Sequence, residues 1–145
     1  NTSAETIHES FITIESDNAI SGFRRTGQWA KDQYLYFYAE FSEPFTSYGI
    51  CSDNKEYPNL KHAEGKDLQA WLDFDATDGK PVVMRVATSA VDVEGAKKNL
   101  ASEISDFDFD AYTQKTYQHW NDELNRININ TNINADDRDI FYTSL

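Results

Sequence analysis

The amino-acid sequence predicts a mostly β fold, an antiparallel β-sandwich over the first 90 residues, followed by linker α-helices. Two observations predict it. Runs of aromatic and β-branched residues separated by turn residues continue to Ser89, and apolar residues then recur at helical spacing. The 145 residues include 9 Phe, 8 Tyr and 3 Trp, enough apolar area for a folded core. Strands first and helices last indicate a β domain that leads into another domain.

Four apolar runs predict the first strands, at 11–14, 19–25, 34–41 and 47–50. The run 34–41 is the strongest, and it is apolar on both faces. We therefore expect it to be a central strand that is covered on both sides. Pro44 should end it, because proline cannot donate to the hydrogen-bond ladder.

The segment 52–67 is charged and contains Pro58 and Gly65, so we predict a loop there. Two further apolar runs, 70–74 and 82–88, flank a short segment with one glycine and one proline. This arrangement predicts an antiparallel pair of neighbouring strands joined by a glycine-containing turn.

Helical periodicity begins after Ser89. The first helix is indicated by Val93, Ala96, Leu100, Ile104 and Phe107, and the second by Phe109, Tyr112, Thr116, Trp120, Leu124 and Ile127. A third helix is expected from Asp136, with Asn134 as its cap.

These patterns divide the chain into three parts. We predict part of a β-sandwich domain at 1–90, a helical linker at 91–134 and the truncated start of a further domain at 135–145. Asn1 is not an initiator residue, and the apolar segment 140–145 has no helix-stop signal. We therefore expect this sequence to be a piece of a longer protein.

The formal net charge of −12 excludes some classes of partner. Phosphate backbones and anionic membranes repel so acidic a surface, which argues against nucleic-acid or membrane-surface binding. No apolar run approaches the length of about 20 residues that a membrane span needs. Cys51 is the single cysteine, and nothing near it in sequence suggests a nucleophile, so we interpret it as an inert thiol.

Acidic segments raise the question of a metal site. The segment 73–79 is out of register for an EF-hand and lacks the bidentate glutamate, so we predict a strand end and turn there. The alternating acids at 106–110 lie between two predicted helices, where carboxylates suit helix caps. The three histidines show no metal-ligand spacing. Many carboxylates are present, but sequence spacing cannot pair them across a cleft, and no catalytic residue is assigned.

Trp29 is the candidate substrate-binding residue. It follows two arginines and a glycine, and an indole face can pack against the C–H face of a sugar while a planar guanidinium binds hydroxyl groups. The alternative is that Trp29 packs in the sandwich core or against a neighbouring domain. Trp71 and Trp120 lie within regular strand and helix patterns, where we expect core packing.

Six segments in order resemble the N-terminal domain and linker of glycoside hydrolase family 92. They are SGFRRTGQWA at 21–30, YFYAEFSEPF at 36–45, RVATS at 85–89, VEGAKKNL at 93–100, WN at 120–121 and IFYTSL at 140–145. The resemblance covers about residues 20–145, although the segments 52–69 and 128–134 match no pattern of the family.

The resemblance implies a calcium-dependent exo-α-mannosidase, often specific for α-1,2-linked mannose, that inverts anomeric configuration. It implies an N-terminal β-sandwich, linking helices and an (α/α)6-barrel catalytic domain that holds the catalytic carboxyl groups and the calcium ligands. This sequence would then supply no catalytic or metal-binding residue. It would pack on a C-terminal catalytic domain and help to bind mannose-containing glycans. Members of this kind are expected to be secreted, periplasmic or on the cell surface of bacteria.

Two other functions stay open at this point. A stand-alone carbohydrate-binding β-sandwich module would fit the aromatic-rich strands, although the helices after Ser89 argue against it. A structural domain of the adhesin type is the third possibility.

Overall fold

The computed structural model describes residues 6–28, 30–129 and 133–144. In chain order the elements are β1 (Thr6–Ile14), β2 (Ala19–Gly27), β3 (Gln33–Phe41), β4 (Phe45–Ser52), β5 (Lys55–Pro58), β6 (His62–Gly65), β7 (Leu68–Phe74), β8 (Met84–Ser89), α1 (Val93–Glu103), α2 (Phe109–Leu124) and α3 (Ala135–Thr143). The predicted antiparallel β-sandwich followed by helices is confirmed. The chain forms two compact units, Asn1–Phe107 and Asp108–Leu145.

The strands of the first unit form two sheets. One has five strands in the order β6-β1-β2-β3-β8, and the other has three in the order β5-β4-β7. The predicted pairing of the neighbouring strands β7 and β8 is wrong. Leu72 of β7 lies opposite Tyr48 of β4, whereas Ala87 of β8 lies opposite Tyr38 of β3. The connection between β7 and β8 therefore carries the chain from one sheet to the other and does not form a hairpin.

The predicted loop at 52–67 is also wrong, because it contains β5 and β6. Each is four residues long and lies at the edge of its sheet, where charged side chains can point to solvent. Asp53 and Asn54 both adopt positive φ, 51° and 62°, as a tight hairpin turn between β4 and β5 requires.

The core lies between the two sheets. Its buried apolar side chains include Ile14, Ala39, Phe41, Phe45 and Ile50. The Phe74 ring packs between the sheets. Its centroid lies 5.2 Å from that of Phe41 and 6.3 Å from that of Phe45.

Strand β3 has neighbours on both edges, so its predicted central position is confirmed. It is covered on both faces only in its second half, since Tyr34 and Leu35 in its first half are 42% and 47% exposed.

Helix α1 packs on the five-stranded sheet. Asp92 caps its first turn by accepting a hydrogen bond from the amide of Gly95. Ala96 and Leu100 are the buried residues of this helix. The helix ends at Glu103, short of the predicted Phe107, and Arg85 of the sheet donates a hydrogen bond to the carbonyl of Ile104 there.

The second unit contains α2 and α3. Asp108 and Asn134 cap them through their side chains, so the predicted caps are confirmed. Helix α2 ends at Leu124, three residues before the predicted Ile127, and none of its residues is buried. Trp120 is 61% exposed to solvent among the described residues of this unit. The prediction that it packs in a core is therefore wrong. No helix among the described residues is long and apolar enough to cross a membrane.

Candidate functional site

Trp29, the candidate substrate contact, lies outside the described residues, but both strands that flank it are described. It belongs to the connection between β2, which ends at Gly27, and β3, which begins at Gln33. Gly27 is closely surrounded. A Cβ atom added there would lie 2.5 Å from Nε2 of His8 and 3.0 Å from the carbonyl oxygen of Lys31. Only glycine fits between His8 of β1 and Lys31 of the connection without displacing a neighbour.

Arg25 joins three segments at the base of this connection. Its Nε donates to one carboxylate oxygen of Asp32 at 2.8 Å, its Nη2 forms an ion pair with the same oxygen at 2.7 Å, and its Nη1 donates to Glu9 at 3.0 Å. The guanidinium carbon also lies 5.5 Å from the ring centroid of Tyr34. The hydrogen bonds to Asp32 and then Glu9 raise the pKa of Arg25 above its usual value. The geometry thus shows Arg25 holding the ends of the connection that contains Trp29.

Beside this cluster lies a line of rings on the outer face of the five-stranded sheet. We call Phe11, Phe23, Tyr34 and Tyr36 the aromatic row. The centroids of Phe23 and Tyr36 are 4.4 Å apart with nearly parallel planes, and Phe11 is 5.7 Å from Phe23. Sequence reasoning missed this surface. Alternation on β3 places Tyr34 and Tyr36 on one face, but only the strand register brings Phe11 and Phe23 beside them.

Glu40 is bound by the side chains of Arg85 and Tyr38. It pairs with Arg85, whose Nε donates to it at 3.0 Å, and it accepts a hydrogen bond from the hydroxyl of Tyr38 at 3.0 Å. Burial of the phenol, and then this hydrogen bond, raise the pKa of Tyr38 to about 12. The Arg85 guanidinium also lies over the Phe107 ring, 4.7 Å from its centroid. Together with the hydrogen bond from Arg85 to the carbonyl of Ile104, these contacts hold the segment that follows α1 on the sheet.

The acidic segments have structural roles. Hydrogen bonds from the side chain of Thr77 and then from its amide lower the pKa of Asp75, and those from the amide of Lys80 and then from its side chain lower the pKa of Asp78. Gly79 has a φ of 69°, as a turn allows. The predicted turn at 73–79 is therefore confirmed. No group of three or more histidine, cysteine, aspartate or glutamate residues could hold a metal ion within the part of the chain that the structure describes.

Trp71 does not pack in the core as predicted. The side chain of Phe74 points between the sheets, so Trp71, three residues before it on β7, lies on the opposite face of its sheet. Its ring covers Gly49, where an added Cβ would lie 2.6 Å from two ring atoms. Its Nε1 is buried and has no hydrogen-bond partner among the described residues.

Two family models match consecutive parts of the chain. Residues 1–89 match the glycosyl hydrolase family 92 N-terminal domain, and residues 95–145 match the glycosyl hydrolase family 92 catalytic domain. None of the curated proteins matches the chain.

Solved structures show the same similarity. A family GH92 α-mannosidase from Bacteroides thetaiotaomicron is 27% identical, with a TM-score of 0.76 over 83% of this chain and 17% of its own. A family GH92 inverting mannosidase from the same organism is 28% identical, with the same TM-score and coverage. The chain thus spans about a sixth of the length of these structures. With a family model matching more than half of its residues and these structures sharing its fold, the chain belongs to glycosyl hydrolase family 92.

Proposed function

We propose that this chain is the N-terminal domain region of an α-mannosidase that removes terminal mannose from glycans. The match of its two parts, in order, to the N-terminal and catalytic domains of one family carries the proposal. The names of the two solved relatives, an α-mannosidase and an inverting mannosidase, support the substrate class.

The finer mechanism follows from the family resemblance. We propose calcium-dependent cleavage of α-1,2-linked mannose with inversion of configuration. An inverting glycosidase needs two carboxyl groups about 6.5–9.5 Å apart, so that a water molecule fits between one of them and the sugar. The carboxylates described above serve as caps, turns and ion-pair partners, and the described residues offer no cluster for a calcium ion. We therefore propose that the catalytic carboxyl groups and the calcium ligands belong to other parts of the protein that contains this chain.

Within that protein the chain would support and partly complete the mannose pocket. We propose the division into β-sandwich 1–90, helical linker 91–134 and start of the barrel 135–145. Trp29 is the proposed sugar contact, and the contacts of Arg25 with Asp32 and Glu9 support it, because they brace the connection in which Trp29 lies. A secreted, periplasmic or surface location suits an enzyme that acts on external glycans.

The aromatic row is the observation that favours a second function, a carbohydrate-binding module without catalysis. It lines a cavity of about 460 Å³ together with polar residues such as Glu64 and Lys66. Glycan binding by the 145-residue chain, measured by calorimetry with mannose oligosaccharides, distinguishes the two functions. The mannosidase proposal expects no binding that depends on Phe23 or Tyr36.

The proposed reaction is tested by proton NMR on the longer protein that contains this chain, with α-1,2-mannobiose as substrate. We expect the β anomer of mannose to appear first in the presence of calcium, and chelation to stop its release. First appearance of the α anomer would contradict inversion, while release that chelator leaves unchanged would contradict calcium dependence. Hydrolysis of other α-mannosides only would correct the linkage.

A further inference from the structure

The outer face of the three-stranded sheet carries one large aromatic ring, that of Trp71. This residue of β7 lies directly opposite Gly49 of β4, and its ring rests on that glycine. A side chain at position 49 would clash with the indole, so the glycine lets the ring lie against the strand. This ring is thus held on the opposite side of the sandwich from the aromatic row.

Polar side chains from two strands surround the ring. Gln69 and Asp73 share the side of β7 on which Trp71 lies, because side chains alternate along a strand. Glu56 of β5 is in register with Gln69 across β4. These three polar residues are exposed, and together with the ring they line a cavity of about 460 Å³, which we call the tryptophan cavity. Ser47 donates a hydrogen bond to Asp73 at 2.5 Å and so orients this carboxylate beside the cavity.

The position of the Trp71 N–H shows which part of the ring a ligand can meet. Nε1 lies 2.7 Å from where a Cβ atom of residue 49 would be, and it is buried without a hydrogen-bond partner among the described residues. A ligand in the cavity therefore meets the carbon atoms of the indole and not its N–H. Burying an unpartnered donor costs free energy that phenylalanine would avoid, so packing alone does not account for a tryptophan here.

The chemistry of the tryptophan cavity fits a neutral sugar. The C–H face of a pyranose packs on indole carbon atoms, and carboxylate and amide groups bind its hydroxyl groups. The volume lies within the range of about 300–1,000 Å³ that is typical of small-molecule sites. Among the described residues that line the cavity there is no lysine, arginine or histidine, so its two carboxylates would repel a phosphate or an acidic sugar.

A protein partner fits this cavity less well. The centre of a protein interface is depleted in aspartate and glutamate, whereas here Glu56 and Asp73 lie beside the ring. The apolar part of the lining is confined to Trp71 with the small side chains of Cys51 and Ala70. One ring bordered by hydrogen-bonding groups matches a single sugar unit better than it matches the side chains of a protein.

We propose that the tryptophan cavity binds one pyranose unit of a neutral, mannose-containing glycan, apart from the site at which mannose is released. The choice of mannose rests on the proposed function, whereas the preference for a neutral sugar rests on the cavity itself. No bond of the glycan is cleaved in this cavity. A glycan long enough to reach both sites is held at two points, which raises its effective concentration at the site of hydrolysis.

Fluorine NMR of the longer protein tests the proposal. The protein carries fluorotryptophan, and the Trp71 resonance is assigned from its loss in Trp71→Phe. The probe is a thio-linked α-1,2-mannobiose, since glycosidases cleave a sulfur linkage poorly. We expect the Trp71 resonance to shift saturably as the probe is added. Gln69→Ala and Glu56→Ala, at exposed positions, should each raise the dissociation constant at least about threefold, because a hydroxyl group loses its partner. Lys80→Ala, on an exposed turn, is the control and should leave it unchanged.

A Trp71 resonance that does not move with the probe would overturn the proposal. An equal midpoint in Gln69→Ala, Glu56→Ala and the wild type would also overturn it, because the shift would then come from binding elsewhere. Tighter binding of mannose 6-phosphate than of mannose would overturn the assignment of a neutral ligand. Mannose release from α-1,2-mannobiose is measured separately. A saturable Trp71 shift in a protein that releases no mannose would support this site and contradict the proposed function, and release without a shift would do the reverse.

Discussion

Among single residues, Arg85 makes the contacts with the clearest energetic consequence. Its side chain is 17% exposed, its partner Glu40 is 24% exposed, and it also binds the Ile104 carbonyl. We expect Arg85→Ala to lower the free energy of unfolding by about 2 kcal/mol, because it leaves a half-buried carboxylate and a carbonyl without this donor. Denaturant unfolding of the chain measures the change.

A matched control is available in the second unit. Arg126 pairs with Glu123 at 2.7 Å, but its side chain is 72% exposed. Arg126→Ala should change the free energy of unfolding of the chain by less than about 0.5 kcal/mol, since solvent screens exposed ion pairs. Equal effects of the two substitutions would show that the Arg85 contacts contribute no more than a surface pair.

Tyr38 gives a prediction about pH. Its pKa is raised to about 12, mainly by burial and then by its hydrogen bond to Glu40. The folded state therefore holds this proton more tightly than the unfolded state, whose tyrosine has a pKa of about 10. The stabilisation is complete below pH 10 and is lost as pH rises from 10 towards 12. NMR titration of the tyrosine Cζ resonances should place Tyr38 near 12, and a midpoint near 10 would contradict its burial.

Substitution of Trp29 tests whether this residue contacts the substrate. In the longer protein, Trp29→Ala should raise KM for α-1,2-mannobiose at least about tenfold, as expected when an aromatic contact worth roughly 1.4 kcal/mol is lost. Trp29→Phe keeps an aromatic ring and should recover part of that loss. Unchanged kinetics in Trp29→Ala, with an unchanged thermal melting curve, would favour the alternative in which Trp29 packs away from the substrate.

The helices of the chain begin where local sequence indicates. Asp92 accepts from the amide of Gly95 at 2.6 Å, and Asn134 accepts from that of Asp137 at 2.8 Å. We expect Asp92→Ala to lower the free energy of unfolding by about 1 kcal/mol, because an amide of the first turn loses its acceptor. Asp92→Asn keeps an oxygen acceptor and should cost a few tenths of that. The same loss in both variants would mean that the charge, and not the hydrogen bond, stabilises α1.

Helix starts could be predicted because a cap is a contact within three residues. Helix ends were less predictable, since α1 stops at Glu103 where Arg85, far away in sequence, binds the next carbonyl. The predicted pairing of β7 with β8 is wrong for the same reason, because contacts between residues far apart in sequence decide which sheet each strand joins. Neighbouring strands with a turn between them predict a hairpin, but packing of Phe74 against Phe41 places β7 in the sheet opposite β8.

The edge strands β5 and β6 were missed because each is only four residues long, and because the charged residues Lys55, Glu56 and Glu64 together with Pro58 and Gly65 predicted a loop. Main-chain hydrogen bonds to β4 and β1 hold these two segments as strands, and composition does not reveal such pairing. Trp71 was misplaced because strand alternation alone does not say which face of a sheet meets the core. Gly49 leaves room for the Trp71 ring on that outer face, but only the register of β4 and β7 places the two residues opposite one another.

For the molecule as a whole, family membership could be predicted from six short segments in order, and the family models confirm it. The candidate site was predictable only in part. Trp29 and its arginines stand out in sequence, whereas the aromatic row depends on the register of three strands. No catalytic residue was assigned in this sequence, because sequence spacing cannot pair carboxylates across a cleft, and those described here as caps, turn residues and ion-pair partners include Asp92, Asp75 and Glu40.

We propose that this chain is part of a mannosidase whose catalytic groups lie elsewhere in the protein. Mannose release from α-1,2-mannobiose tests it most directly, comparing the 145-residue chain with the longer protein that contains it, each with calcium and with chelator. We predict calcium-dependent release by the longer protein and none by the 145-residue chain. Release by the 145-residue chain itself would contradict the account, because its own carboxylates would then have to perform the reaction.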